Sequence, residues 1–158
     1  MIEIERKFMV TGDFSGGVTS RKCIIQGYLT VTDGCIVRIR TAGDRAFITI
    51  KGPSDENMWS RYEFEQEIAT DDASELMKLA TGSVISKVRH YVPYGGHVWE
   101  VDVFCGDNEG LVVAEIELTS RDDVFDLPPW VGREVTGDSR YYNASLVKAP
   151  YKEWKDNE

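Results

Sequence analysis

The chain has 158 residues, 42% of them apolar, and a net charge of −9. This length fits one domain or two small ones, and the apolar content excludes a disordered chain. The acidic balance argues against nucleic-acid binding, and no apolar run approaches the roughly 20 residues of a membrane-spanning helix. We predict a single domain at 1–150 and a polar tail at 151–158.

The cysteines Cys23, Cys35 and Cys105 are odd in number, widely spaced and without a CxxC motif. This pattern predicts reduced thiols rather than a disulfide framework or a zinc site. The N-terminus is charged at once and lacks the apolar stretch of a signal peptide. We therefore expect a cytoplasmic protein with no nucleic-acid or membrane partner.

We predict the first strand at residues 1–10, because apolar and charged side chains alternate along this segment. One face carries Ile2, Ile4, Phe8 and Val10, and the other carries Glu3, Glu5 and Lys7. A period of two predicts a β-strand, since successive side chains point to opposite faces. A solvated charged face would explain this strand alone. The same alternation recurs along the chain, and a solvated face does not account for the recurrence.

Seven further strands follow, mostly joined by short turns. Their predicted ranges are 21–32, 35–41, 45–51, 59–69, 84–93, 97–105 and 111–119. Asp33-Gly34 and Tyr94-Gly95-Gly96 are typical hairpin turns, so neighbouring strands should pair antiparallel. Helical patterns occur at 71–80, as a short helix start at 120–125, and as a final helix at 139–147.

Nearly every predicted strand has one apolar face and one face with like charges. Basic pairs alternate with acidic pairs: Arg38 and Arg40, Glu63 and Glu65, Lys87 and Arg89, Glu100 and Asp102, Glu115 and Glu117. An open sheet with one wet side would explain one or two such strands. Closing the sheet removes its edges and turns all the charged faces toward one cavity. We therefore predict a mainly β (α+β) fold, a closed eight-stranded antiparallel barrel that is polar inside and flanked by a few helices.

Such a cavity would collect many cations. They are Lys7, Arg38, Arg40, Lys51, Arg61, Lys87 and Arg89. Without partners these groups would repel one another and pay a large desolvation cost. One interpretation is a buried ion network with Glu63, Glu65, Glu100 and Asp102. Another is a polyanion site, since arginine contacts phosphate oxygens in pairs and lysine supplies a compact charge.

The carboxylates Glu3, Glu5, Glu115 and Glu117 suit a different task. Mg²⁺ and Mn²⁺ prefer oxygen ligands, and Mg²⁺ typically takes only one or two carboxylates together with waters and substrate phosphates. Cations for phosphates and acids for a metal together describe metal-assisted phosphoryl transfer.

The sequence resembles the CYTH proteins, the triphosphate tunnel metalloenzymes. Glu3-Ile4-Glu5-Arg6-Lys7 matches their ExExK signature, and the resemblance covers nearly the whole chain. It extends over Gln26-Gly27-Tyr28-Leu29, the Arg38/Arg40 pair, Thr49-Ile50-Lys51, Arg61 to Glu65, Lys87/Arg89, Glu100 to Phe104, Ala114 to Glu117 and Glu134-Val135-Thr136. A lone ExExK fits any amphipathic strand, but the ordered set of charged pairs is specific.

The resemblance implies an eight-stranded antiparallel tunnel that hydrolyses or cyclises triphosphates with one or two Mg²⁺ or Mn²⁺ ions. Compact bacterial members are mostly inorganic triphosphatases, which implies hydrolysis of tripolyphosphate to pyrophosphate and phosphate by a monomer or homodimer. The alternatives are a class IV-type adenylate cyclase, a thiamine or nucleoside triphosphatase, or a non-catalytic polyphosphate- or nucleotide-binding module.

The resemblance also implies residue roles. Glu115 and Glu117 would hold one metal ion, and Glu3 and Glu5 a second ion or its water. The seven cations would grip the triphosphate, and Glu63, Glu65, Glu100 and Asp102 would position them or complete a metal shell. Catalytic proton handling falls to Glu3 or Glu5 and to a Tyr28–Lys51 pair, although both members of that pair could simply line the cavity. Glu134 and Arg140 are further candidates. Neither His90 nor His97 is expected to be catalytic, and Trp59, Trp99, Trp130 and Trp154 are interpreted as packing residues.

Overall fold

The computed structural model describes residues 2–32, 34–56 and 60–154. This part of the chain forms the strands β1 (Ile2–Val10), β2 (Ser20–Val31), β3 (Ile36–Ala42), β4 (Arg45–Lys51), β5 (Ser60–Ile68), β6 (Ile85–Tyr94), β7 (His97–Phe104), β8 (Val112–Glu117) and β9 (Val131–Glu134). Its α-helices are α1 (Thr70–Met77) and α2 (Asn143–Leu146). Asp33 of the predicted hairpin turn and Trp59, where a strand is predicted to begin, lie outside the described residues.

Eight of these strands close into an antiparallel barrel, as the alternating pattern predicts. The order around the wall is β5, β4, β3, β2, β6, β7, β8 and β1, and β1 then pairs with β5. In this closing ladder Glu3 lies opposite Arg61, and on the other edge of β1 Lys7 lies opposite Glu115. Since one register step would reverse every side chain, these pairings fix which face points inward.

A ninth strand is present that the sequence pattern does not predict. β9 pairs with the C-terminal half of β1, beyond the half that β5 occupies. Its four residues are too few to show an alternation, and they include Gly132. A Cβ at this glycine would lie 2.5 Å from Thr11 Cγ2, so a larger residue there would force the side chain of Thr11 to move.

Two helix predictions in the C-terminal third are wrong. Residues 120–125 contain turns instead of a helix, because Asp123 accepts hydrogen bonds from the backbone and hydroxyl of Thr119. The helix predicted at 139–147 is split into a 3₁₀ turn at Ser139–Tyr141 and the single turn of α2. Tyr142 between them has an extended backbone, with φ −71° and ψ 134°.

Most of the apolar core lies on the outside of the barrel wall. One cluster gathers the outward side chains of β1, β7 and β8, including Phe8 and Trp99, under the covering segment that carries Phe125 and Trp130. A second cluster forms where α1 packs Ala73 against Ile39 and Ala46. The barrel therefore has its apolar faces outside, and connecting segments cover part of them.

The third cluster closes one end of the barrel. Inward side chains such as Tyr28, Ile85 and Phe104 pack there against Tyr141 and Leu146 of the C-terminal segment. The sequence predicts a polar tail at 151–158. Tyr151 and Trp154, however, pack against this cluster. Residues 155–158 lie outside the described residues. The domain boundary itself stays a prediction. No helix in the described part of the chain is long and apolar enough to cross a membrane.

Candidate active site

The barrel interior contains a cavity of about 230 Å³ lined almost entirely by charged side chains. The charged lining consists of Glu3, Glu5, Lys7, Arg38, Arg40, Lys51, Arg61, Glu63, Glu65, Lys87, Arg89, Glu100, Glu115 and Glu117. Tyr28, Ile36, Tyr142, Asn143 and Ala144 complete it toward the closed end. At the other end Glu65 and Glu117 are exposed, so this end opens to solvent.

Sixteen site residues are predicted from the sequence, and the structure brings them together around this cavity. Fifteen of them line it; the exception is Asp102, which is 1% exposed and lies in the wall beneath Lys87 and Arg89. The apolar residues of opposite parity, such as Ile39, Val101 and Ile116, pack on the outside of the barrel. The positions of these residues therefore agree with the alternation of charged and apolar side chains along the strands. Their chemical roles stay predictions.

Asp102 anchors two cations of the β6 strand. Lys87 Nζ lies 2.8 Å from Asp102, and Arg89 makes a two-point contact with the same carboxylate at 2.8 and 2.9 Å. Burial would raise the pKa of Asp102, but the charges of Lys87 and Arg89 lower it below its usual value. Burial likewise lowers the pKa of Lys87 to about 8, and neighbouring Arg89 adds to this shift.

Glu115 is the second buried anion of the network. Lys7 Nζ lies 3.9 Å from it, and Arg89 donates to it at 3.4 Å. Burial opposes ionisation of Glu115, yet the charges of Lys7, Arg89 and Lys87 hold its pKa well below the usual range. This carboxylate is therefore ionised and compensated from two strands.

A further group of ion pairs lies where β1 meets β5. Lys51 Nζ donates to Glu3 at 2.9 Å and lies 3.4 Å from Glu63, and Arg61 Nε lies 3.7 Å from Glu3. Burial acts against ionisation of Glu3, but the charge and hydrogen bond of Lys51 lower its pKa. Tyr28, the predicted partner of Lys51, instead accepts a hydrogen bond from Gln26 at 3.0 Å. The two members of the predicted proton-transfer pair thus have separate partners.

The arginine pair of β3 depends on a single carboxylate. One oxygen of Glu65 accepts from Arg40 at 3.2 Å, from Arg38 at 3.5 Å and from the hydroxyl of Thr49 at 2.7 Å. The Nε atoms of Arg38 and Arg40 are buried and have no acceptor. Both guanidiniums line the cavity and therefore retain donors that an anion could engage.

Two lining carboxylates face each other across one strand pair. Glu5 lies directly opposite Glu117 in the β1–β8 ladder. Burial and the charges of Glu115 and Glu3 raise the pKa of Glu5 to about 8. Burial and the charges of Glu3, Glu100 and Glu63 also raise the pKa of Glu117. Like charges directly across a ladder are destabilising, so a bound cation would stabilise this part of the wall. Glu100 also lies opposite Glu115, but Arg89 contacts both of these carboxylates.

The donor set of this wall fits a hard divalent cation. In the ranges that the structure describes, no three acidic, histidine or cysteine side chains converge as a ready-made metal site. Mg²⁺ needs only one or two carboxylates when waters and substrate phosphates supply its other ligands. Glu5 and Glu117 supply two such carboxylates. They face each other directly in the ladder, and the neighbouring acids raise the pKa of Glu117.

Sequence reasoning missed the residues that the C-terminal segment brings into the cavity. Asn143 Oδ1 accepts from Lys87 at 2.8 Å and from Gln26 at 3.0 Å. The ring of Tyr142 lies 5.7 Å from Lys7 Nζ. Gln26 shares the strand face of Tyr28 and could have been found by parity, whereas nothing local in the sequence marks Asn143 or Tyr142.

The other candidates lie outside the barrel wall. Glu134 forms an ion pair with Arg6, and Arg140 pairs with Asp138. His90 contacts the carbonyl of Val101 through Nδ1, and His97 lies 3.7 Å from Asp123. Glu134, Arg140 and the two histidines do not line the cavity formed by the described residues. Trp99, Trp130 and Trp154 pack in apolar clusters.

Asp102→Asn should lower the free energy of unfolding by about 3 kcal/mol or more, because it leaves two buried cations without their shared anion. Urea denaturation at pH 7 measures this effect. The matched control is Glu67→Gln, which breaks an exposed pair with Arg45 and should leave the unfolding midpoint unchanged. Equal midpoints for the two variants would contradict the anchoring role of Asp102.

Comparison with known proteins extends over nearly the whole chain. The family model of the CYTH domain matches residues 1–151. An inorganic triphosphatase of Acetivibrio thermocellus is 45% identical over 155 residues, which is 98% of each protein. An inorganic triphosphatase of Nitrosomonas europaea is 38% identical over 152 residues, covering 93% of this chain and 97% of the relative. A crystal structure of an inorganic triphosphatase matches with a TM-score of 0.67 at 35% identity, covering 92% of this chain and 93% of that one.

Proposed function

This chain belongs to the CYTH domain family, and we propose that it hydrolyses inorganic tripolyphosphate to pyrophosphate and phosphate with the help of Mg²⁺ or Mn²⁺. The observation that carries the proposal is the charged barrel cavity in which the lysines and arginines of five strands converge. Guanidinium and ammonium groups are the side chains that bind phosphate oxygens. The activity of the two curated relatives is consistent with it.

The charge balance of the cavity supports a metal requirement. The described residues that line it include seven basic and seven acidic side chains, so the cavity has no formal excess of positive charge. A highly charged polyanion would enter such a cavity far more favourably together with divalent cations. Glu5 and Glu117, which face one another in the β1–β8 ladder, form the part of the wall where we propose that these cations bind.

The arginine pair is suited to orient the substrate. Arg38 and Arg40 point inward from one strand, spaced about 6–7 Å along it at the usual rise per residue. The parts of their guanidiniums that line the cavity could hold neighbouring phosphoryl groups, and Lys87 and Arg89 contribute charge from β6, two strands away around the wall. Such cations stabilise the charge that spreads over the transferring phosphoryl group in the transition state.

Hydrolysis also requires a group that orients or deprotonates the attacking water. Glu3 is engaged by Lys51 at 2.9 Å, which lowers its basicity. Glu5 instead lies opposite Glu117 in the part of the wall where we propose that the cation binds. We therefore propose that Glu5 orients the attacking water beside this cation, whereas Glu3 positions Lys51. A bound divalent cation would supply electrostatic stabilisation of the phosphates.

The remaining expectations are also proposals. Cys23, Cys35 and Cys105 are free thiols, in keeping with a reducing cytoplasmic environment. The substrate is proposed to be a small-molecule triphosphate, and the protein to act as a monomer or homodimer.

A substrate panel tests the proposed function. Purified protein is incubated with tripolyphosphate, ATP and thiamine triphosphate, each with Mg²⁺, with Mn²⁺ and with EDTA, and assayed for phosphate, pyrophosphate and cyclic AMP. We expect the largest kcat/KM for tripolyphosphate, with phosphate and pyrophosphate as products. Cyclic AMP from ATP would favour the cyclase, a preference for thiamine triphosphate would favour that triphosphatase, and binding without turnover would favour a binding module.

A further inference from the structure

Phe47 is an aromatic residue on the charged, inward face of the barrel near its open end. It lies on β4 directly opposite Arg40 of β3, and Arg40 Cζ is 5.1 Å from the centre of its ring. Phe47 belongs to none of the three apolar clusters formed by the described residues. Its half-buried ring is therefore not explained by core packing.

Arg40 is held by few hydrogen bonds. It donates to Glu65 at 3.2 Å, and the same carboxylate oxygen also serves Arg38 and Thr49. Its buried Nε has no acceptor. Arg89, in contrast, donates to both oxygens of Asp102 and also contacts other carboxylates of the wall. Hydrogen bonds alone therefore orient Arg40 much less strongly than Arg89.

The electrostatic surroundings of Arg40 are also unfavourable. Burial and the charges of Arg38 and Arg89 lower its pKa, and Glu65 offsets this only in part. The face of an aromatic ring attracts a cation without neutralising it, and the attraction grows where water is excluded. Phe47 can therefore stabilise Arg40 while leaving its donors free for a substrate anion.

The same arrangement recurs at a second cation of the cavity. Lys87 lies directly opposite Phe104 in the β6–β7 ladder, and its Nζ is 5.4 Å from the ring centre. Directly opposed side chains on one face of a ladder are the closest cross-strand neighbours. Two cations of the cavity thus have an aromatic ring as their cross-strand neighbour. Phe104 is 3% exposed and part of the core, so Phe47 is the ring that can be changed without disturbing packing.

We propose that Phe47 is a positioning residue that holds the Arg40 guanidinium in the orientation needed to bind the triphosphate. The proposal deepens the function proposed above and rests on it. Arg45 also lies over this ring, with its Cζ 5.2 Å from the ring centre, but Arg45 does not line the cavity. Loss of the ring should therefore affect the triphosphate through Arg40. A stacking platform for the base of a nucleotide would instead act on ATP and leave tripolyphosphate unaffected.

A double-mutant cycle tests this role. Phe47→Leu should lower kcat/KM for tripolyphosphate about threefold to tenfold, whereas Phe47→Tyr should keep near wild-type activity because it retains the ring. In an Arg40→Ala background, Phe47→Leu should change kcat/KM less than twofold, since the group it positions is gone. Phe64→Leu is the matched control, because Phe64 lies on the outward face of β5 and is 43% exposed.

Binding of the non-hydrolysable analogue imidotriphosphate in Mg²⁺, measured by calorimetry, separates this proposal from the proposed function. Phe47→Leu should weaken the wild-type affinity even if no turnover occurs, and Phe64→Leu should not. Wild-type binding of the analogue without hydrolysis of tripolyphosphate in Mg²⁺ would reject the function alone. Additive effects of Phe47→Leu and Arg40→Ala, an equal loss in Phe64→Leu, or a loss confined to ATP would each overturn the positioning role.

Discussion

Glu117→Gln is expected to reduce metal-dependent hydrolysis of tripolyphosphate by about 100-fold or more. The substitution keeps the shape of the side chain and removes one anionic oxygen donor for a hard cation. Glu117 faces Glu5 across the β1–β8 ladder in the part of the wall where we propose that the cation binds. If this wall binds the divalent cation, its loss should raise the metal concentration needed for turnover as well as lower kcat.

The same variant should fold at least as well as the wild type without metal. Burial and nearby Glu3, Glu100 and Glu63 raise the pKa of Glu117 above its unfolded value. When the pKa of a carboxyl group is higher in the folded than in the unfolded state, the free energy of unfolding falls as the pH rises from the unfolded pKa to the folded pKa. At neutral pH the charge of Glu117 therefore destabilises the fold, and a neutral glutamine removes this destabilisation. Thermal unfolding in EDTA should therefore give an equal or higher Tm.

Wild-type turnover of Glu117→Gln at limiting Mg²⁺ would reject the ligand role. A large fall in Tm would show that Glu117 acts in the fold instead. Glu115 is a poorer test residue, although it is expected to hold the same metal ion as Glu117. It is 8% exposed and compensates both Lys7 and Arg89, so Glu115→Gln should cost stability as well as activity.

Arg40→Lys is expected to lower kcat/KM for tripolyphosphate by at least about tenfold, or about 1.4 kcal/mol of transition-state stabilisation. Lysine keeps the charge but loses the planar two-point contact with phosphate oxygens. It also loses the flat group that lies 5.1 Å from the ring centre of Phe47. A small misplacement of the reacting phosphorus is costly even when binding survives, so kcat should fall.

Kinetics of Arg40→Lys and Arg40→Ala at saturating metal separate orientation from charge. If Arg40 orients the substrate, both variants should lose kcat. If it only neutralises charge, the lysine variant should remain within about twofold of wild type and the alanine variant should mainly raise KM. The matched control is Arg45→Lys. Arg45 contacts the same Phe47 ring at 5.2 Å and pairs with exposed Glu67, but it does not line the cavity, so its substitution should leave kcat/KM near wild type.

The wall of the cavity could be predicted from sequence because it depends on local parity. Glu3, Arg38 and Lys87 alternate with apolar neighbours, and strand geometry alone sends such residues to one face. The recurrence of that pattern on eight strands required closure, since no open sheet would turn every charged face inward. Glu63, Glu65, Glu100 and Asp102 pair with cations of the cavity, as one interpretation of the sequence predicts. Glu3 and Glu115, which the family resemblance implies as metal ligands, also pair with Lys51 and Lys7.

The parts that sequence could not supply depend on tertiary packing. Asn143 reaches Lys87 only because the C-terminal segment folds back across one end of the barrel. β9 exists because β1 has a free edge beyond the residues that pair with β5. Nothing in the sequence distinguishes Phe47 from other strand residues, because only the register of the β3–β4 ladder places it opposite Arg40. None of these features has a periodic signal of its own.

The most direct test of the central claim is phosphorus NMR of tripolyphosphate mixed with the purified protein and Mg²⁺. The claim is that the charged barrel cavity hydrolyses a triphosphate with a divalent cation. It predicts that the tripolyphosphate signals decay while pyrophosphate and phosphate appear in equal amounts, and that EDTA stops the reaction. Unchanged tripolyphosphate in the presence of Mg²⁺ or Mn²⁺, or hydrolysis at the same rate in EDTA, would contradict it.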